Sequence, residues 1–294
     1  IIEPEDFNFY KKIDVPPPTF CFTCATQRRI AWRNERYLYK RKCSAPEHEE
    51  EIFSIYSPDK NYTVYDEKYW WSDAWDPLSY GQDYDFQKPF FSQYREFLEK
   101  VPLIALSTTN MVNCQFCNVA EGDKGCYLIS ASWRNENTMF SNRVANNKDS
   151  VDIYVGDSAE MSYELINCSK GYKLKFSQNC TECSDSFFLF DCVGCINCFG
   201  CTNLRNKSYY YFNEPLSKEE YLSKIKEFNS GSSRAIEEAK KKFEELKLKS
   251  IHRYAQIIKS VDSTGDNLIA VKNCKFSFDL VGKPSCEDCK YSHW

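Results

Sequence analysis

The chain has 294 residues, with Lys and Arg totalling 38, Asp and Glu 42, and a formal charge of −4. That length suits about two domains of roughly 150 residues, large enough to bury a core without disulfides. Hydrophobic residues make up 42% and charged residues 27%, an ordinary globular balance, and the mild acidity excludes a bulk electrostatic drive toward nucleic acid while leaving room for a local basic patch. The longest apolar stretches, Leu103–Leu106 and Phe187–Phe190, are too short to span a bilayer.

The first fifty residues read as a zinc knuckle followed by a basic helix. Ile1 to Lys12 lacks the basic start and apolar run of a secretory signal. A stiff Pro16-Pro17-Pro18 leads into Cys21-x2-Cys24. Gln27 to Lys42 carries no Pro or Gly and interleaves aromatic residues with Arg28, Arg29, Arg33, Arg36, Lys40, Arg41 and Lys42. The pattern predicts a helix with Arg29, Arg33, Arg36 and Lys40 on one face, a surface suited to phosphates, with Trp32 or Tyr37 stacking on bases. The alternative is that these arginines pair with the acids at 66–85. Zinc takes four sulfur or nitrogen ligands, so Cys21, Cys24, Cys43 and His48 form one candidate set. Alternatively, Cys43 is a buried thiol and the partner pair lies upstream of this sequence.

Residues 51–109 form an aromatic and acidic α+β region. Ile52–Tyr56 and Tyr62–Tyr65 alternate like short strands around Ser57-Pro58-Asp59-Lys60, and Pro89–Lys100 has the spacing of an amphipathic helix. The carboxylates and indoles of 66–85 come without a nucleophile motif, and the chain has three histidines. The expectation is a non-enzymatic protein.

Residues 110–213 look repetitive. Short β-type runs recur, with Phe140, Leu165, Leu189 and Tyr211 marking one register at intervals of 25, 24 and 22. Asn-Cys pairs punctuate them at 113–114, 167–168, 179–180 and 197–198. Such spacing predicts a cysteine-rich β-solenoid with Asn and Cys in inward-facing ladders. Residues 214–260 interrupt it with a helical hairpin opened by the capping box Ser217-x2-Glu220. Residues 261–294 resume the same vocabulary. The chain starts with Ile and stops just after a CxxC pair, so the native protein is expected to extend further.

Sixteen cysteines dominate the composition, twelve of them in CxxC spacing. In a chain without a secretory signal this favours metal over disulfides. Cys192-x2-Cys195-x2-Cys198-x2-Cys201 stands out. A zinc site shared with Cys180 and Cys183, a packed ladder of thiols, and an iron–sulfur cluster all remain open for it. Cys286 and Cys289 are a further candidate pair, and Cys114 and Cys117 another without an obvious partner. Cys126, Cys168 and Cys274 read as core thiols.

Three blocks carry a resemblance. They are Pro16–Cys24 with Arg28–Cys43, Trp70–Asp76 with Tyr80–Phe86, and Cys195–Lys207. Together they resemble a cysteine-rich, zinc-binding family of uncultivated small-genome bacteria and giant viruses. Some members carry a CaiB/BaiF label, although nothing in this chain resembles a CoA-transferase domain. The resemblance implies a further CxxC upstream of Cys21, and no activity comes with it. The whole reading is an α+β protein binding zinc. It would contact RNA or DNA, or a ribonucleoprotein, through its basic helix, and lie in the cytoplasm, an infected cell or a virion. The alternatives are a scaffold within a larger protein assembly and, more weakly, an iron–sulfur or redox protein.

Overall fold

A computed structural model describes residues 4–282, 286–290 and 292. Parts of the expected continuation over 261–294, namely 283–285, 291 and 293–294, lie outside them. The chain divides into two compact units, Ile1–Arg33 with Ile251–Trp294, and Asn34–Ser250. The composition is mixed α and β, as expected. No helix among the described residues is long and apolar enough to cross a membrane.

The first unit begins with helices α1 (Pro4–Lys12) and α2 (Phe22–Ile30). The predicted helix Gln27–Lys42 is not found. Helix α2 stops at Ile30, and Tyr39–Lys42 is instead a strand, β1, paired antiparallel with β2 (Glu51–Ser54). The reason is local: the Asn34 side chain accepts from the Tyr37 amide at 2.9 Å and donates to the Tyr37 carbonyl at 2.8 Å, a turn that competes with helix. The short strands expected at Ile52–Tyr56 and Tyr62–Tyr65 form in part, the first within β2, but they do not pair with each other. The second of these segments, β3 (Val64–Tyr65), pairs in parallel with a strand beyond two helices, α3 (Glu67–Trp70) and α4 (Phe90–Lys100). That partner is β4 (Leu103–Ile104).

An eleven-stranded sheet then runs in strict chain order. Its strands are β5 (Thr108–Thr109), β6 (Asn118–Glu121), β7 (Ser130–Trp133), β8 (Asn142–Ala145), β9 (Val151–Asp157), β10 (Tyr163–Ser169), β11 (Tyr172–Gln178), β12 (Ser184–Phe190), β13 (Ile196–Thr202), β14 (Ser208–Tyr211) and β15 (Glu214–Pro215). All pairs are parallel except β14–β15. The partners are twelve residues apart, as in Leu165↔Ser177 and Leu189↔Cys201. Bridges outside the strands keep the same offset, as in Lys124↔Glu136 and Lys148↔Glu160. Two such steps make 24 residues, which is why Leu165 and Leu189 share a register. Phe140 and Tyr211 do not belong to it.

Beneath the twelve-residue step lies a triplet. From Asn110 to Phe212 every third residue is left-handed, with φ between +45° and +69°. From Cys117 to Cys201 the residue following each of these is buried. A left-handed residue is disfavoured for most L-amino acids, by roughly 1–2 kcal/mol, and least so for Gly, Asn and Asp. Those three types recur there, as at Asn137, Asp149, Asn167, Asn197 and Gly200. The Asn of each Asn-Cys pair therefore occupies the left-handed position and only the Cys turns inward, which corrects the expected placement of both. Successive Asn side chains bond across the step, Asn167 donating to Asn179 at 3.0 Å.

The inward side chains close backbone bonds that the ladder leaves open. The Ser141 hydroxyl donates to the Met139 carbonyl at 2.7 Å and accepts from the Ile153 amide at 3.0 Å. Ser150, Ser162, Ser177 and Ser186 repeat the pattern. Cys114 also fills it, accepting from the Cys126 amide at 3.4 Å while its thiol donates to the Val112 carbonyl at the same distance.

Helices α5 (Lys218–Glu227) and α6 (Ser233–Lys249) form the expected hairpin, with the Ser217–Glu220 capping box in place. They cover an aromatic face of the sheet. Phe176 stacks on Phe188 at 4.8 Å and Phe199 on Tyr211 at 5.1 Å, and Tyr221, Phe228 and Phe243 pack onto these rings. The C-terminal part of the first unit has three parallel strands, β16 (Ile257–Ile258), β17 (Gly265–Ile269) and β18 (Ser277–Val281).

Truncating Phe243, 5% exposed, to Ala should cost about 3–5 kcal/mol in denaturant unfolding. Gly200→Val should be at least as disruptive as a typical core substitution, because a Cβ there would stand 2.7 Å from the Phe212 ring. Mid-transition denaturant concentrations for both variants, measured against the parent, check this.

Candidate metal centres

The triplet gives the CxxC spacing a second meaning. Cys192, Cys195, Cys198 and Cys201 are four consecutive inward positions, each 0% exposed. With Cys168, Cys180 and Cys183 they join one apolar cluster that includes Leu165, Leu174 and Leu189. Their thiols donate to carbonyls as the serines do, Cys201 to Phe199 at 3.3 Å and Cys180 to Gln178 at 3.2 Å. Burial raises the thiol pKa of Cys117 to about 11 and of Cys126 to about 12, and holds Cys180 well above the ordinary range. Cys117, Cys126 and Cys180 are thus protonated packing groups with little thiolate character.

Two other sets of ligand atoms converge. Among the described residues, mutual separations within 4.8 Å group Cys43 with His48 and Asp66, and Cys274 with Cys286 and Cys289. Neither set includes Cys180, Cys183, Cys192, Cys195, Cys198 or Cys201. Cys21 and Cys24 are in neither set, and they belong to a different compact unit from Cys43 and His48. Cys21 caps the start of α2, and hydrogen bonds from the amide and thiol of Cys24 lower its pKa.

In the first set, Cys43 directly follows β1, and Asp66 follows β3 as the cap of α3. Backbone bonds bring the segments together, from the Ser44 amide to the Val64 carbonyl at 2.8 Å and from the Cys43 amide to the Glu50 carbonyl at 3.0 Å. Cys43 is 6% exposed, and burial raises its thiol pKa. Its sulfur accepts from the amides of Ala45 at 3.4 Å and Asp66 at 3.3 Å. Asp66 Oδ1 accepts from the Tyr69 amide at 3.0 Å, while its Oδ2 lies 3.5 Å from the Cys43 sulfur and 3.0 Å from His48 Nδ1. Tyr69 packs edge-on against the imidazole at 4.9 Å. By sequence alone Asp66 belongs only to the acidic 66–85 stretch. Its position one residue beyond the β-type pair Val64-Tyr65 was the available signal.

In the second set, Cys274 is fully buried, as expected of a core thiol, yet its sulfur lies 4.0 Å from that of Cys286, which is 3.5 Å from that of Cys289. Thiolates each about 2.3 Å from a tetrahedral zinc stand about 3.8 Å apart. The Cys274–Cys286 and Cys286–Cys289 separations bracket that spacing. Burial, with Cys289 and Cys274 adding, raises Cys286 to about 12, so a proton must leave when a cation arrives.

The basic residues are dispersed. Arg36 bonds Asn142 and lies 5.4 Å from the Tyr154 ring centroid. Arg41 is partly buried and donates to the Tyr62 carbonyl at 2.8 Å and the Ser57 carbonyl at 3.4 Å, and Lys40 pairs with Glu51. Arg28 lies over Phe20 and Arg29 donates to Thr26 at 3.0 Å. Arg29, Arg33, Arg36 and Lys40 thus share no helical face.

Comparison with protein-family models and with curated proteins found no match for this chain.

Brief alkylation of the native chain at pH 8 should label Cys24 and Cys21 well before Cys117, Cys126 or Cys180, which should react only on unfolding. Mass mapping of labelled peptides over time reads the order.

Proposed function

We propose that this protein is a zinc-binding, non-enzymatic scaffold whose body is a four-sided β-solenoid. Each twelve-residue step would be one turn, with four triplets as its sides and four inward residues at its centre. The observation that carries the reading is the unbroken triplet from Asn110 to Phe212, with small inward side chains closing the backbone bonds. Such a stack gives a rigid, elongated surface whose interior is filled with side chains. The convergent groups Cys274–Cys286–Cys289 and Cys43–His48–Asp66 support zinc at two places outside the triplet run, where it would fasten less regular chain. The partner class is protein within a larger assembly.

Elemental mass spectrometry on anaerobically purified protein should find zinc and no iron. Chelation should remove the zinc and leave the far-ultraviolet circular dichroism of the sheet unchanged. Iron in stoichiometric amount, or loss of the sheet signal with the metal, would overturn the reading.

One observation favours contact with nucleic acid: Trp32 is 73% exposed and neighbours Arg28, Arg29 and Arg33 in sequence. Bases stack on such rings while arginines meet phosphates. On that reading R28E/R29E/R33E should abolish a salt-sensitive mobility shift with single-stranded RNA, and an unaltered shift would exclude it.

A further inference from the structure

We infer that Glu50 completes a four-donor site with Cys43, His48 and Asp66 for a borderline divalent cation, zinc foremost, chemically distinct from the three-thiol site at Cys274. The inference rests on the zinc-binding reading above.

His48 supplies the first reason. Its Nδ1 is shut off from solvent and makes no hydrogen bond, although two carboxylate oxygens lie close, Asp66 Oδ2 at 3.0 Å and Glu50 Oε2 at 3.2 Å. The oxygens are within reach but out of line for an N–H donor. A buried imidazole nitrogen left unpartnered among anionic ligands is poorly satisfied as a hydrogen-bonding group. It is well placed as a metal ligand.

The other donors are held for the same task. The Tyr69 amide takes one oxygen of Asp66 and leaves the other directed at Cys43 and His48. Outer partners of this kind orient a ligand. Two backbone amides point at the Cys43 sulfur and fix its position. Glu50 is tied to Cys43 by the bond between its carbonyl and the Cys43 amide. Its carboxylate reaches His48 Nδ1 at 3.2 Å from the solvent side, 70% exposed and outside the three atoms that already converge, so it is the donor that would close onto a bound cation. A thiolate and two carboxylates gathered around one imidazole would repel one another. A divalent cation reverses that balance.

The donor set also separates the two sites. One thiolate, one imidazole and two carboxylates suit zinc or cobalt, whereas three thiols favour softer ions. Cadmium binds both kinds of donor, and its NMR resonance moves with the number of attached thiolates.

The test uses the full chain loaded with cadmium-113, then titrated with zinc. The parent should give two resonances, one from a single-thiolate site and one from a three-thiolate site. Glu50→Gln should weaken zinc at the single-thiolate site at least tenfold, and Asp66→Asn and His48→Ala should do the same. The three-thiolate resonance should stay unchanged in all three. Cys286→Ser should do the reverse. Glu50→Gln alters an exposed side chain, and an unchanged thermal melt of the metal-free variant would show that folding is intact. Unaltered zinc affinity in Glu50→Gln would remove Glu50 from the ligand set and overturn the inference. A lone resonance, sensitive only to Cys286→Ser, would overturn this site while leaving the zinc-binding reading standing. Absence of both resonances would overturn the two together.

Discussion

The structure depends on one repeated exchange between side chain and backbone. A chain that bends at every third residue cannot pair all its amides with a neighbouring strand, and a buried amide without a partner costs about 1–3 kcal/mol. The inward residue removes that cost. Its oxygen or sulfur accepts from the amide one step later, and its proton goes to a carbonyl two residues earlier, as at Ser141 and Ser186. This requirement limits interior positions largely to Ser, Cys, Asn, Asp and Thr, with Leu, Ile and Val supplying apolar mass between them. It also explains a polar interior with few unmet groups. Asp123 accepts from Ser132 and Asn135, and Asn135 in turn accepts from the Asn147 amide.

The parts of this fold that were legible in the sequence were those whose signal is local. The capping box at Ser217, the amphipathic spacing of Phe90–Lys100 and the break from β-type runs to helices near residue 214 all matched what formed. The repeat was visible at twice its length, because Leu165 and Leu189 are conspicuous while the small residues between them are not. The triplet is hidden in the sequence for a chemical reason. Ser and Cys perform the same inward task, so the pattern is carried by two residue types of different apparent meaning. CxxC spacing is also how thiolates chelate metal, and the periodicity of the wall and the spacing of a ligand pair are the same number.

The metal clusters were legible in part. Cys43 with His48, and Cys286 with Cys289, came from spacing alone. Asp66 and Cys274 did not, because each is brought in by pairing between distant segments, β3 with the stretch after β1 and the register around Lys272. The basic stretch failed for the opposite reason. Helical periodicity over Gln27–Lys42 was real as a pattern, but Asn34 offered the backbone a competing turn, and β2 offered Tyr39–Lys42 a partner.

The exchange that closes each step involves only residues of that step and its neighbours. Length is therefore free of any single shared core: a twelve-residue insertion between β9 and β10, outside the strands whose rings α5 and α6 cover, would add one strand that pairs at the same offset of twelve. The terminal stretch shows where that freedom ends. There the offsets become 11 between Val261 and Lys272 and 15 between Lys272 and Glu287, and it is at this irregular boundary that three thiols converge.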